Sequence, residues 1–199
     1  MSLRLPAGGV LAVLGGPSSG KTNLLQLLPL LNGQTNLWLT PEAGADPNDY
    51  WSRILRKAVA GEVDRGSIAL VDDADLLPAV ANHGLTELNA MGFTVVVTAS
   101  FSPMVLQRVP LVLSARGLGT GLLIAPRTLM DGDLFGVRFD VEPNPPPGRS
   151  VLISDGRSMA VQLGWVNAEL PAAPSGLGGA GYQRAKPQRA GGEPPVRDA

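Results

Sequence analysis

The stretch Val10-Leu11-Ala12-Val13-Leu14-Gly15-Gly16-Pro17-Ser18-Ser19-Gly20-Lys21-Thr22-Asn23-Leu24-Leu25 decides the fold. A continuously apolar run over residues 9–14 ends at Gly15, as in a strand buried on both faces of a parallel sheet. Gly20, Lys21 and Thr22 follow, and a leucine-rich helical pattern begins. This is the G-x-x-x-x-G-K-[ST] pattern of a P-loop in its strand–loop–helix setting. Glycines let successive backbone N–H groups point at one phosphate, and the helix start adds its positive dipole end. The Lys21 ammonium is placed for β- and γ-phosphates, and the Thr22 hydroxyl for Mg²⁺. Gly15, Gly16, Pro17, Ser18, Ser19, Gly20, Lys21, Thr22 and Asn23 are therefore the candidate nucleotide-binding residues. The competing reading is a chance glycine loop between a strand and a helix.

Outward from the P-loop, the helix reads as Lys21 to Leu31, with Pro29 expected to end or bend it. A second strand is read over residues 36–40. Asp46-Pro47 starts another helix, with Asp46 as cap and Pro47 in the first helical position. Tyr50, Ile54, Ala58, Trp51, Leu55 and Val59 form its apolar face. Arg53, Arg56 and Lys57 lie opposite and read as a solvated face rather than a DNA or partner contact.

The run Ser67-Ile68-Ala69-Leu70-Val71-Asp72-Asp73 is the second informative stretch. An apolar strand ending in two carboxylates, roughly 50 residues after a P-loop, matches a Walker-B pattern. Asp72 is the candidate metal-shell residue with Thr22, and Asp73 the candidate catalytic base beside Lys21. Asp75 is expected to cap the next helix, with Val80, Gly84, Leu88 and Met91 as its buried stripe and His83 solvated. Residues 93–98 read as a central strand. Thr98 and Ser100 at its end are sensor candidates, or ordinary turn hydroxyls. A short helix to Arg108, a fifth strand at Val109 to Leu113, a glycine-rich turn at Gly117 to Gly121 and a short strand at Leu122 to Ala125 complete this part. A short helix or turn spans residues 126–136, and a proline-rich loop spans residues 144–149. The last element is a hairpin around Asp155-Gly156.

Composition narrows the function classes. Lys plus Arg number 16 and Asp plus Glu 17, a net charge of −1, which gives nucleic-acid binding no support. There is no Cys, and His83 is the single histidine. A disulfide framework, a thiolate metal site and a Ser-His-Asp triad are disfavoured accordingly. No apolar run approaches the roughly 20 residues of a membrane span, and no signal peptide is read, so the expectation is a cytoplasmic chain. Residues 1–166 are read as one domain. Residues 167–199, rich in Pro, Gly and charge, are read as a disordered tail. The first strand starts so soon after Met1 that a fragment or truncated relative is expected.

The predicted fold class is α/β: a P-loop NTPase of RecA-like type, its mainly parallel sheet flanked by helices and closed by a C-terminal β-hairpin. By analogy with that class, the fourth strand inserts between the first and third, bringing Lys21, Asp72, Asp73 and Thr98 to the carboxyl edge of the sheet.

The P-loop, the run Leu70-Val71-Asp72-Asp73-Ala74-Asp75, and the ending Pro147-Gly148-Arg149-Ser150-Val151-Leu152-Ile153-Ser154-Asp155-Gly156 with Val161-Gln162 together resemble the FtsK/SpoIIIE motor ATPases. The Asp-Asp-x-Asp form is most similar to the C-terminal ATPase modules of EccC/EssC type VII secretion proteins. The resemblance covers about residues 3 to 166. It implies ATP with Mg²⁺, assembly into a ring or tandem modules, and a parent complex at the inner face of the cell membrane. It also implies an arginine finger from a neighbour, for which Arg108, Arg116 and Arg127 are candidates. Motor members carry Glu where this chain has Asp73. Asp is one methylene shorter, and misplacement by about 1 Å costs on the order of 10²-fold in rate.

Three functions follow as expectations. The first is an ATP-binding module of a secretion ATPase with slow or partner-dependent hydrolysis. The second is a DNA translocase motor, disfavoured because no DNA-reading module fits after residue 166. The third is a pseudo-ATPase platform that docks a secreted partner's peptide signal.

Overall fold

The computed structural model describes residues 7–32 and 37–164. The chain runs β1 (Val10–Gly15), α1 (Lys21–Leu31), β2 (Trp38–Leu39), α2 (Pro47–Val59), β3 (Ile68–Val71), α3 (Ala79–Ala90), β4 (Thr94–Ala99), α4 (Val105–Arg108), α5 (Pro110–Leu118), β5 (Gly121–Ile124), β6 (Arg149–Ser154) and β7 (Arg157–Gln162). Short 3-10 turns occupy Ala74–Leu76 and Leu129–Phe135.

Among the described residues one seven-stranded sheet has the order β2-β3-β4-β1-β5-β6-β7. β1 to β5 pair in parallel, and β6 and β7 extend the sheet antiparallel through the expected Asp-Gly turn. The fourth strand lies between the first and the third, as expected. Val10 sits beside Val95, and Ala69 on the far side of β4 also faces Val95. The fold is thus the mixed α/β arrangement anticipated from the sequence.

Alternation along β1 divides the core. Val10, Ala12 and Leu14 face a layer built from Trp51 and Ile54 of α2, Leu85 and Leu88 of α3, and Leu111, Val112 and Ala115 of α5. Leu11 and Val13 face the opposite way, against Leu24 and Leu25 of α1. Every residue of β1 is buried, so the strand needs apolar side chains on both faces. Burying a large apolar side chain contributes about 1.5–3 kcal/mol, and Trp51, Ile54, Leu85 and Leu111 are all under 3 % exposed.

The local signals around α2 operate as read. The Asp46 carboxylate accepts the Asp49 N–H at 3.0 Å, and Pro47 takes the first helical position. Val59, assigned to the apolar face, is 71 % exposed at the helix end. The α1 helix runs through Pro29 to Leu31. Among the described residues the second strand covers Trp38–Leu39, and residue 36 of the stretch read as strand lies outside them.

Four expectations are corrected. Val109 to Leu113 is not a strand: Pro110 opens α5, and the helical spacing of Leu111, Val112 and Ala115 is what buries them. The glycine-rich turn shrinks accordingly, because Gly117 and Leu118 belong to α5 and Gly121 begins β5. A short apolar run does not distinguish strand from buried helix, and the proline at the first helical position was the deciding signal. Asp75 does not cap α3. It lies within the Ala74–Leu76 turn, and Pro78 occupies the cap position. The buried stripe of α3 is Ala81, Asn82, Leu85 and Leu88, whereas Val80 is 66 % exposed. Of the residues read as that stripe, Leu88 is fully buried and Met91 is half-buried against the core, so the reading fails at Val80 and not along the whole helix. Asn82 is buried with its Nδ2 donating to the Ala74 carbonyl at 2.9 Å and its Oδ1 without a partner among the described residues. His83 is exposed beside Glu87, as expected. The tail assigned to residues 167–199 lies outside the described residues.

Candidate functional site

The P-loop spans the turn from β1 to α1. Gly20 has φ 104°, a left-handed conformation that glycine adopts without steric cost. Ser18 also has positive φ, at 56°. Gly15 is constrained by contact instead. A Cβ there would collide with Ser19 Oγ and come within 3.3 Å of Ile124 Cβ. The first-turn N–H groups of α1 have no carbonyl to bind within the helix, so they present donors where the loop ends.

Lys21 is 8 % exposed. Its ammonium donates to the carbonyls of Gly15 at 3.3 Å and Gly16 at 3.2 Å, and lies 3.4 Å from Asp73 Oδ1. These contacts hold the charge at the mouth of the loop.

Asp72 is held from two sides. Thr22 Oγ1 donates to Asp72 Oδ2 at 2.6 Å, and Thr98 Oγ1 donates to Asp72 Oδ1 at 2.6 Å. Hydrogen bonds to the charged carboxylate are the stronger kind. Thr98 also accepts the Asp73 N–H at 2.8 Å, and that N–H lies 3.2 Å from Asp72 Oδ1. Asp73 has φ 42° and ψ 52°. Asp tolerates this left-handed region better than most residues, and the captured N–H stabilises it there.

The structure therefore brings Lys21, Thr22, Asp72, Asp73 and Thr98 together at the carboxyl edge of β1, β3 and β4. Ser100 is not part of this network, and its hydroxyl makes no hydrogen bond among the described residues. Thr98 fixes the orientation of Asp72, a contact that spacing did not reveal because the residues are 26 apart in sequence and meet through β3–β4 pairing.

Thr22 Oγ1 and Asp72 Oδ2 converge on one side as hard oxygen donors, the chemistry that Mg²⁺ takes from protein while keeping water and phosphate ligands. The residues present fit that ion. Among the described residues no group of three or more His, Cys, Asp or Glu could hold a metal. A cation here would thus draw most of its shell from outside the protein.

A cleft of about 750 Å³ opens over the P-loop, from Gly16 to Gly20 and Asn23. Its other walls are Phe101, Ala125, the Arg127–Thr128 segment with Asp131, the loop at residues 145–148, and Leu163 with Gly164. None of these others was read as a nucleotide-binding residue. The legible trace was Thr128-x-x-Asp131, a cap that closes on itself. Of the three finger candidates only Arg127 lines the cleft; Arg108 and Arg116 are exposed on α4 and α5.

No family model matches the sequence, and no curated protein matches it. Solved structures do match by fold. EssC (ATPases 2 and 3) from Geobacillus thermodenitrificans superposes with a TM-score of 0.60 at 16% identity, over 79% of this chain and 37% of that one. The cytoplasmic domain of the Thermomonospora curvata type VII secretion ATPase EccC gives 0.58 at 17% identity, over 82% of this chain and 24% of that one. A structure described as an ATPase gives 0.51 at 16% identity, over 84% of this chain and 82% of that one. The chain thus spans well under half the length of the EssC and EccC structures. Among the described residues no helix is long and apolar enough to cross a membrane. What the comparisons establish is the fold: this chain is similar to the ATPase domains of type VII secretion proteins.

Proposed function

We propose that this chain is an ATP- and Mg²⁺-binding module of a secretion-type ATPase, with slow or partner-dependent hydrolysis. The observation that carries the reading is the convergence of Lys21, Thr22, Asp72 and Asp73 at one edge of the sheet, with Lys21 Nζ 3.4 Å from Asp73 and Thr22 Oγ1 2.6 Å from Asp72. Lys21 pairs with the β- and γ-phosphates. Thr22 and Asp72 hold Mg²⁺, which when bound neutralises charge on the phosphates. Thr98 keeps the Asp72 carboxylate in place. Asp73 takes the proton of the attacking water. Likeness of fold to EssC and EccC supports a role as one of several tandem or ring-assembled modules, at the cytoplasmic face of the membrane through a parent complex, with Arg108, Arg116 or Arg127 offered to a neighbour.

A second reading, binding without turnover on a platform for a secreted partner, is favoured by one feature. The Asp73 carboxylate is engaged by Lys21, so its proton-accepting oxygen is partly committed.

The test is nucleotide binding and phosphate release by the full chain, with and without Mg²⁺. Binding is expected to need Mg²⁺, with slow release. Lys21→Ala is expected to weaken binding by about tenfold or more, since a charge-assisted contact contributes roughly 1.5–3 kcal/mol. Unchanged binding in that variant would refute the reading. Phosphate release at the background rate, with binding intact, would select the platform.

A further inference from the structure

Lys21 already has an anion beside it. Its ammonium carries three N–H bonds, and three oxygens surround it: the Gly15 carbonyl at 3.3 Å, the Gly16 carbonyl at 3.2 Å and the Asp73 carboxylate at 3.4 Å. Lys21 is buried, and a buried ammonium without a counter-charge is costly. Thr22 is committed in the same way, its hydroxyl donating to Asp72 Oδ2 at 2.6 Å. Asp73 is fixed from behind. Thr98 Oγ1 accepts its N–H at 2.8 Å, and its φ is 42°. The Asp73 side chain is nevertheless 43 % exposed, so water solvates its carboxylate once it leaves Lys21. The two ends of this pair are therefore unequal. Lys21 needs an anion in place, whereas Asp73 can do without Lys21.

We infer that Asp73 stands in for phosphate: it neutralises Lys21 until a nucleotide arrives, then yields the ammonium to the incoming phosphate, and so sets nucleotide affinity. The inference rests on the P-loop reading above. The binding-competent form is the one in which Lys21 has parted from Asp73, and the apparent affinity falls with the population of that form. An ion pair with one half-exposed partner is screened and contributes modestly, so the reduction in affinity is about twofold to fivefold. The same exchange times the chemistry. The Asp73 oxygen that faces Lys21 becomes available to a water molecule only after phosphate has replaced it.

The test pairs an affinity with a stability, both on the full chain. ADP with Mg²⁺ is not turned over, so calorimetric titration reads its dissociation constant at equilibrium. Asp73→Asn removes the charge and keeps a residue type that tolerates positive φ. This variant is expected to bind ADP about twofold to fivefold more tightly than the parent chain. Equal or weaker binding overturns the inference and leaves the P-loop reading standing. Relief of simple repulsion also tightens binding, so urea unfolding without nucleotide is measured for the parent, Lys21→Ala, Asp73→Asn and the double variant. The second substitution is expected to cost less stability once the first is present. Additive costs overturn the inference, because Asp73 then does not neutralise Lys21 in the free protein. Unchanged ADP binding in Lys21→Ala, or no binding by the parent chain, overturns both readings.

Discussion

Thr98→Val tests whether the carboxyl edge is held together as described. Thr98 is fully buried, donates to Asp72 Oδ1 at 2.6 Å, and accepts the Asp73 N–H at 2.8 Å. Valine keeps the side-chain shape and removes both bonds. A hydrogen bond to a charged group contributes about 1.5–3 kcal/mol. The Asp73 N–H keeps a longer bond to Asp72 Oδ1 at 3.2 Å, so its loss is partial. The expected cost is therefore about 2–3 kcal/mol. For a domain of this size that lowers Tm by roughly 5–10 °C. Thr98→Ser keeps the hydroxyl and removes one methyl, which costs about 1 kcal/mol. Urea unfolding followed by circular dichroism measures both, and an unchanged denaturant slope shows that the same fold is being unfolded. The ordering is the sharp part: valine must cost more than serine, although it is the more apolar substitute. A valine variant within about 0.5 kcal/mol of the parent protein would refute the two-bond account.

The remaining expectations address other links in the same chain of reasoning. Gly15→Ala forces Ser19 and Ile124 apart from a new Cβ, and the shifted loop is expected to lose about tenfold to a hundredfold in nucleotide affinity; calorimetric titration checks this, and unchanged affinity would mean the loop yields freely. Asp73→Asn is expected to retain nucleotide binding and lower phosphate release by about 10²–10⁴-fold; equal turnover in the variant would remove Asp73 from the chemistry. Asp46→Ala removes the cap on the Asp49 N–H and is expected to cost about 1 kcal/mol, or about 2–4 °C in Tm, read by thermal unfolding.

What the sequence discloses depends on how far apart the interacting residues lie. Gly15 to Thr22 is legible because strand, loop and helix are contiguous and each residue type has one dominant use. The Asp46-Pro47 start is legible for the same reason. Val109 to Leu113 misleads because buried helix and buried strand are both simply apolar, and only Pro110 breaks the tie. Leu88 and Met91 of the stripe read for α3 do face the core, but at its start Ala81 is buried where Val80 was expected, because one step along a helix turns a side chain by about 100°. The site shows the same division. Lys21, Thr22, Asp72 and Asp73 announce themselves by motif, whereas the role of Thr98 toward Asp72 exists only once β3 and β4 are side by side. The cleft walls at 145–148 and 163–164 are the least legible. Their contribution is shape, built by segments distant from the P-loop in sequence, and no local motif encodes that meeting.

The central place of β1 in the sheet has a consequence for how the molecule comes into being. Val10 pairs with Val95, and Ala12 with Gly121. Of the strands in this sheet, the first in sequence must wait for segments some 85 and 109 residues downstream before both its edges are covered. Closing such large loops costs entropy before any pairing rewards it, which slows folding and prolongs the exposure of a bare apolar strand. During synthesis the phosphate loop is thus written early and completed late. A nascent chain that ends before β4 carries Lys21 and Asp72 but no Thr98 to orient the carboxylate. Nucleotide binding should switch on only after the chain has grown past Ile124.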